Sequence, residues 1–251
     1  MDTVILSGTA NFKGQNNANH FDVLLNASKL DFDVVLHNAK LGKKHKIKKY
    51  ASEQYLIAEY YKHNKKNPYK AFEWYYESAM NGQHYAQFCV AVSYTKGEGV
   101  DKSDKEAFKW YLTAAENDDI EGQYNVSVCY KNGIGTKVDE EEAIQWCKTA
   151  SDNGHCIAQY NLANYYYNCE CECKCDNNHN AFELYKRSAN QGYNKAQFAL
   201  GRCYEIGIGV EENIGTAILE YRKADKLEHT KANKKANDLF IDLLMSKLEK
   251  K

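Results

Sequence analysis

The sequence predicts an all-α fold built from a row of helical hairpins, and three observations lead there. Ala71, Ala107, Ala143, Ala181 and Ala217 recur at spacings of 36, 36, 38 and 36 residues, and a period in this range marks a repeat architecture. Around each alanine the small and aromatic residues fall at helical spacing. The chain of 251 residues also carries one proline and 20 tyrosines, a composition that suits aromatic-rich helices packed on helices.

Each repeat reads as two helices, here named A and B. In helix A, offsets 0, 4, 7 and 8 from the leading alanine share one face at 3.6 residues per turn, as in Ala107, Tyr111, Ala114 and Ala115. A turn follows at Gly82, Asp118, Gly154 or Gly192. Helix ends favour a residue that accepts positive φ, and aspartate accepts it better than most residues. Helix B opens with Ala86-Gln87, Gly122-Gln123, Ala158-Gln159 or Ala196-Gln197, and continues to Tyr94, Tyr130, Tyr166 or Tyr204. Small residues at Ala91, Ser127, Ala163 and Gly201 allow close helix approach. Helix B ends in Gly97-x-Gly99, Gly133-x-Gly135 or Gly207-x-Gly209, after which Val100, Val138 and Val210 are expected to fold back onto the apolar layer. Ser103 with Glu106, and Asp139 with Glu142, have the spacing of a capping box opening the next helix A.

On these residues the chain resembles the Sel1-like repeat family, a relative of tetratricopeptide arrays. The motif A-x-x-W/x-Y-x-x-A-A…G-x-x-x-A-Q…Y-x-x-G-x-G-V recurs over about four-fifths of the sequence. The resemblance implies a right-handed superhelical α/α solenoid of five to six helix-turn-helix repeats. It further implies a non-catalytic scaffold or adaptor for other proteins. In this reading residues 1–20 form a mobile tail and 21–69 a degenerate first repeat. Four full repeats span 70–213, and 214–251 hold a last repeat and a capping helix. In that helix Leu239, Phe240, Leu243, Leu244 and Leu248 are expected to face inward.

Composition narrows the function classes. Lys and Arg total 33 against 34 Asp and Glu, for a net charge of -1, which lacks the cationic surplus that phosphate backbones require. The opening stretch "MDTVILSGTANF" is a poor secretory signal, and no apolar run approaches a membrane span. Nine cysteines without such a signal, an odd number, are read as reduced thiols of a cytoplasmic monomer. Gly-x-Gly follows helices rather than strands, so it is not a phosphate cradle. Ser93-Tyr94-Thr95-Lys96 fits S-x-x-K, but the Ser-Asp-Asn and Lys-Thr-Gly elements that accompany it in penicillin-recognising enzymes are missing. The repeating Trp74, Trp110 and Trp146 are read as packing residues. "GKKHKIKK" at 42–49 is read as a solvated basic run.

One stretch departs from the repeat. After Tyr166 the glycine loop is replaced by "NCECECKCDNNH", which places Cys169, Cys171, Cys173 and Cys175 at alternate positions with His179 nearby. Such donors suit Zn²⁺ or Cu⁺, and a metal- or redox-responsive regulator is the alternative function. Against it, zinc sites favour C-x-x-C, while Glu170 and Glu172 oppose thiolate formation. A tolerated loop between repeats is the simpler reading, and no cofactor is expected.

A partner surface is expected on the helix-A offsets that point away from the apolar stripe, which the resemblance would make the concave face. These positions hold Tyr76, Leu112, Lys148, Lys186 and Arg222, with Arg187 alongside. The order runs from aromatic and apolar to basic. It suits a protein or peptide with an apolar residue at one end and acids at the other.

Overall fold

The structure is a computed structural model that describes residues 32–45, 50–168 and 174–248. Twelve α-helices and no strand are found among the described residues. They are α1 (Phe32–His45), α2 (Ala51–His63), α3 (Pro68–Met80), α4 (His84–Lys96), α5 (Asp104–Glu116) and α6 (Ile120–Asn132). These are followed by α7 (Glu140–Asp152), α8 (Cys156–Asn168), α9 (Lys174–Asn190), α10 (Asn194–Ile206), α11 (Ile214–Lys226) and α12 (Ala232–Leu248). Successive helices pack on one another in chain order within each part of the fold, and the fold is an α solenoid. Helices α3, α5, α7, α9 and α11 are the A helices of the sequence pattern, and α2, α4, α6, α8 and α10 are the B helices. The chain divides within α7, between Ala143 and Ile144, into two compact units.

In the first unit the core gathers Val35 and Ala39 of α1, Ile57 and Ala58 of α2, Trp74 and Tyr75 of α3, and Ala86 and Val90 of α4. On α5 the four expected inward positions, Ala107, Tyr111, Ala114 and Ala115, are all buried. In the second unit Leu162, Ala181, Phe182, Tyr185, Leu200 and Cys203 form the main core. Ala217, Ile218, Tyr221 and Ala236 form a satellite cluster. Each large side chain so buried contributes roughly 1.5–3 kcal/mol. The small-residue slot also behaves as expected. A Cβ on Gly201 would lie 2.8 Å from the Tyr221 ring, so α10 and α11 meet there more closely than alanine would permit.

The glycine loops have two separate causes. Gly97, Gly133 and Gly207 end helix B in the left-handed region, at φ 72°, 70° and 69°. The second glycine is fixed by space as well, since a Cβ on Gly135 would stand 2.0 Å from the Asp104 carbonyl oxygen at the head of α5. Asp118 does take positive φ, at 62°, in the turn where its neighbours use glycine. Of the valines expected to fold inward, Val210 packs on the second core. Val138 is 67% exposed, because its side chain lies over Gly133 on the solvent side of the loop.

The capping box forms only by half. Ser103 Oγ accepts from the Glu106 N–H at 3.3 Å, and Asp139 Oδ1 accepts from the Glu142 N–H at 3.0 Å. The return bond from the glutamate is replaced by a longer-range one. The Ser103 N–H donates to the Tyr94 carbonyl at 3.0 Å, and the Asp139 N–H to the Tyr130 carbonyl at 3.0 Å. In the second unit the Asn213 N–H donates to the Tyr204 carbonyl at 2.7 Å. The ends of α4, α6 and α10 are thereby tied to the starts of the A helices that follow them.

Two expectations at the ends of elements differ. The cysteine-rich stretch was expected to be loop as far as His179, but α9 begins at Lys174 and gains a turn at its N-terminus. The reason is packing: this added turn leads into Asn178, whose carbonyl oxygen would meet a Cβ on Gly209 at 2.2 Å. At the C-terminal end, α12 buries one stripe, Ala232 and Ala236 with half-buried Leu239 and Leu243. Phe240, Leu244 and Leu248, expected inward, are 41%, 46% and 67% exposed. A helix laid on one neighbour buries only one face, and these residues sit progressively further around it, by roughly 70°, 110° and 150° from the middle of the buried stripe. The proposed N-terminal tail, and most of the segment before α1, lie outside the described residues.

Candidate partner-binding surface

In the first unit the sequence-predicted positions lie on α3 and α5. Tyr76 is 37% exposed and Leu112 half-buried. The Tyr76 ring meets Trp110 edge-on, with centroids 5.5 Å apart at 70°, and Phe72 at 6.0 Å. Phe72 in turn meets the Tyr94 ring edge-on at 5.4 Å. The result is an aromatic lane whose solvent end is Tyr76 and whose root is the core. Trp110 is half-buried and joins this lane, whereas Trp74 is buried. Beside the lane, Lys43 pairs with Glu73, lies 3.8 Å from Glu77, and covers the Trp74 ring at 5.4 Å. Lys43 is thus occupied within the fold rather than part of a free basic run. Residues 46–49 of that run lie outside the described residues.

In the second unit the expected basic residues are exposed on three helices: Lys148 on α7, Lys186 and Arg187 on α9, and Arg222 on α11. Two of them are partly engaged. Lys186 lies 3.7 Å from Glu183 and over the Phe182 ring, while Arg222 lies over Phe240 at 5.4 Å. Exposed pairs of this kind hold little energy, about 0–1 kcal/mol, so both side chains can turn toward another anion.

What the repeated Ala-Gln pair does was not legible from the sequence. Gln87, buried on α4, donates from Nε2 to the Ala79 carbonyl at 3.3 Å and accepts at Oε1 from Asn117 at 3.2 Å. Gln54 repeats this with Ala39 and Asn81, and Gln159 with Ser151 and Gln191. Gln87 and Gln159 thus reach a carbonyl in the last turn of one helix and fasten the end of another, while Gln54 reaches mid-helix Ala39. The A-helix tyrosine does related work. Tyr75 donates to Glu59, Tyr221 to Glu205 at 2.6 Å, and Tyr111 shares a 3.2 Å hydrogen bond with Thr95. In α7 the slot holds Cys147, whose Sγ donates to the Ala158 carbonyl at 3.5 Å.

The thiols offer no reaction centre in the described part of the chain. Cys129, Cys156 and Cys203 are buried. Burial pushes the Cys129 and Cys203 thiols up to about 12, away from the thiolate form that attacks or binds metal. Cys169, Cys171 and Cys173 lie outside the described residues, and of Cys175 only its place on α9 is described. His179 is exposed, with Nδ1 3.4 Å from the Gly209 carbonyl oxygen. Among the described residues no group of three His, Cys, Asp or Glu could hold a metal ion. Among them, too, no helix is long and apolar enough to cross a membrane.

Sel1 repeats match the chain at residues 54–83, 84–119, 120–155, 156–193 and 194–224, well over half of its length. Each matched repeat opens at or within a B helix and takes in the A helix that follows. A Sel1 repeat protein from Oxalobacter formigenes is similar in structure, with a TM-score of 0.71 at 24% identity, covering 82% of this chain and 59% of that one. The protective antigen c5321 of uropathogenic Escherichia coli strains, described as displaying an SLR fold, gives 0.68 at 21% identity, covering 87% of this chain and 50% of its own. The likeness to both is one of fold, and the chain spans between half and three-fifths of their lengths. None of the curated proteins compared with the chain matches it.

Proposed function

Because the chain belongs to the Sel1 repeat family, we propose that it is a non-catalytic scaffold or adaptor that holds a partner protein or peptide on the exposed faces of its A helices. Sel1 repeats generally mediate protein–protein interaction and are in general a scaffold fold. The finer reading concerns which residues do the holding. The observation that supports it is the Tyr76–Trp110 pair, in which the Tyr76 ring stays 37% exposed against a half-buried Trp110. Large, rigid aromatic side chains are favoured anchors because little entropy is lost when they are covered. In the second unit Lys148, Lys186, Arg187 and Arg222 supply exposed cations for acids on the partner. The protein acts in this reading as a cytoplasmic monomer.

The test is affinity capture with the full chain, wild type against two variants, with captured proteins identified by mass spectrometry. Tyr76→Ala/Leu112→Asp and Lys148→Glu/Lys186→Glu/Arg222→Glu should each deplete the same captured protein. Capture that is unchanged in both variants would remove the assignment of the helix-A faces.

A further inference from the structure

A second feature lies wholly in the first unit and adjoins the Tyr76 lane at Phe72. A partly enclosed cavity of about 140 Å³ opens where α2, α3 and α4 meet. Phe72 and Tyr75 of α3, Phe88 and Val92 of α4, and Pro68 form its apolar walls. Its volume is close to the roughly 150 Å³ of an apolar cavity that holds a benzene ring. The wall at Pro68 is rigid. This is the chain's single proline, it opens α3, and its carbonyl is abutted by Gly99, where a Cβ would lie 2.1 Å away.

The charge around this cavity is unbalanced. Lys62 and Lys96 are exposed and belong to its lining, which also takes in Cys89, Ser93, Tyr111 and Asn125. The α2–α3 loop, residues 64–67, adds Lys65 and Lys66, and Lys70 follows in the first turn of α3. Lys62 stands 5.8 Å over Tyr75, Lys65 5.7 Å over Tyr60, and Lys70 5.3 Å over Tyr61. Rings of this kind steady an ammonium without neutralising it. Among the described residues, none of these five lysines lies within ion-pair distance of a carboxylate. The nearby Glu59 is taken by Tyr75 and by His63 at 3.2 Å. Glu98 is the one carboxylate among the described lining residues.

We propose that this cavity and its lysine rim form a second docking site, for an acidic peptide that inserts one bulky apolar side chain. A ring or branched aliphatic group fills the space between Phe72, Phe88 and Val92, and flanking carboxylates meet Lys62, Lys66 and Lys96. The cavity lining includes none of Tyr76, Leu112, Lys148, Lys186, Arg187 and Arg222, so one chain has the means to engage two peptides.

The probe is a fluorescein-labelled peptide Glu-Asp-Glu-Phe-Glu-Asp, with an Ala-for-Phe counterpart, read by anisotropy in low salt. The Phe peptide should bind about tenfold or more tighter than the Ala peptide. Val92→Trp, which fills the cavity, should abolish that preference and leave weak, salt-sensitive binding. Lys62→Glu/Lys66→Glu should weaken both peptides about tenfold and flatten the salt dependence. Lys148→Glu/Lys186→Glu/Arg222→Glu should change nothing here, which separates this site from the helix-A proposal. A second reading needs no variant: Val92 methyl resonances should move on titration with the Phe peptide and stay still with the Ala peptide. Equal affinity of the two peptides for the wild type, static Val92 methyls, or loss of binding in the Lys148/Lys186/Arg222 variant would each overturn the proposal.

Discussion

Gln87 and Asn117, thirty residues apart, are joined side chain to side chain at 3.2 Å. The same glutamine holds the Ala79 carbonyl with its amide nitrogen. Gln87 is buried, so removing its amide deletes two hydrogen bonds at once, although the Ala79 carbonyl keeps the Gly82 N–H and Asn117 keeps the Thr113 carbonyl. Gln87→Ala should therefore cost about 2–4 kcal/mol, while Asn117→Ala should cost about 1 kcal/mol, because Asn117 sits nearer to water. Urea titrations of the two single variants and the double variant measure the coupling. Additive losses would show that the glutamine acts through packing alone.

The two kinds of loop glycine should respond differently to alanine. Gly82 has φ 90° with nothing within 4 Å of a built Cβ, so Gly82→Ala should cost only the backbone penalty, about 1–2 kcal/mol. Gly135 adds a clash with a carbonyl oxygen at 2.0 Å. Its alanine variant should lose at least about 3 kcal/mol or force α5 away from the loop. Thermal melts of the two variants rank them, and equal losses would show that the close approach relaxes freely.

Hydroxyl removal separates the A-helix tyrosines. Tyr111→Phe gives up a neutral bond to Thr95 and should cost about 0.5–1.5 kcal/mol. Tyr221→Phe gives up a 2.6 Å bond to the Glu205 carboxylate and should cost about 1.5–3 kcal/mol. Chemical denaturation compares them directly. Phenylalanine preserves the packing, so the difference reports the bond.

The buried thiols bear on alkaline stability. Burial raises Cys129 and Cys203 from the ordinary thiol value of 9.0 to about 12. Between those values the unfolded chain sheds protons that the folded chain keeps, so stability must fall as pH rises. The contribution is intact below about pH 9 and is lost progressively toward pH 12. Cys129→Ala/Cys203→Ala should flatten the slope of melting temperature against pH in that window. At pH 8 both thiols should also resist a disulfide reagent until the chain unfolds.

Much of this architecture was legible from spacing. A helix that must bury one stripe announces it by period, so the inward positions of α5 and the left-handed turn at Asp118 could be read directly. Bonds that cross between helices left no such trace. The Ala-Gln pair was visible as a repeat, but that its amide bridges two helix ends depends on where α3 and α5 terminate. The half-formed capping box failed because the Tyr94 carbonyl, far away in sequence, competes for the same N–H. Phe240, Leu244 and Leu248 were misplaced because hydrophobicity alone does not say how many neighbours a helix has. The candidate surface was legible only as residue types. That Tyr76 leans on Trp110, and that Lys43 is occupied by Glu73, required the packing.

The bond from a B-helix tyrosine carbonyl to the head of the next A helix spans nine residues at Tyr94–Ser103, Tyr130–Asp139 and Tyr204–Asn213 alike, and six in the glycine-free loop at Tyr61–Asn67. Because both partners are main-chain atoms, the intervening letters other than the two glycines carry little constraint, while in the glycine loops their number is held. Substitutions outside the glycines can drift, but a one-residue insertion slips the clasp and turns the following helix by about 100°. The family's regular period is in this sense a rule of backbone arithmetic, and the cysteine-rich stretch marks the place where this chain departs from it.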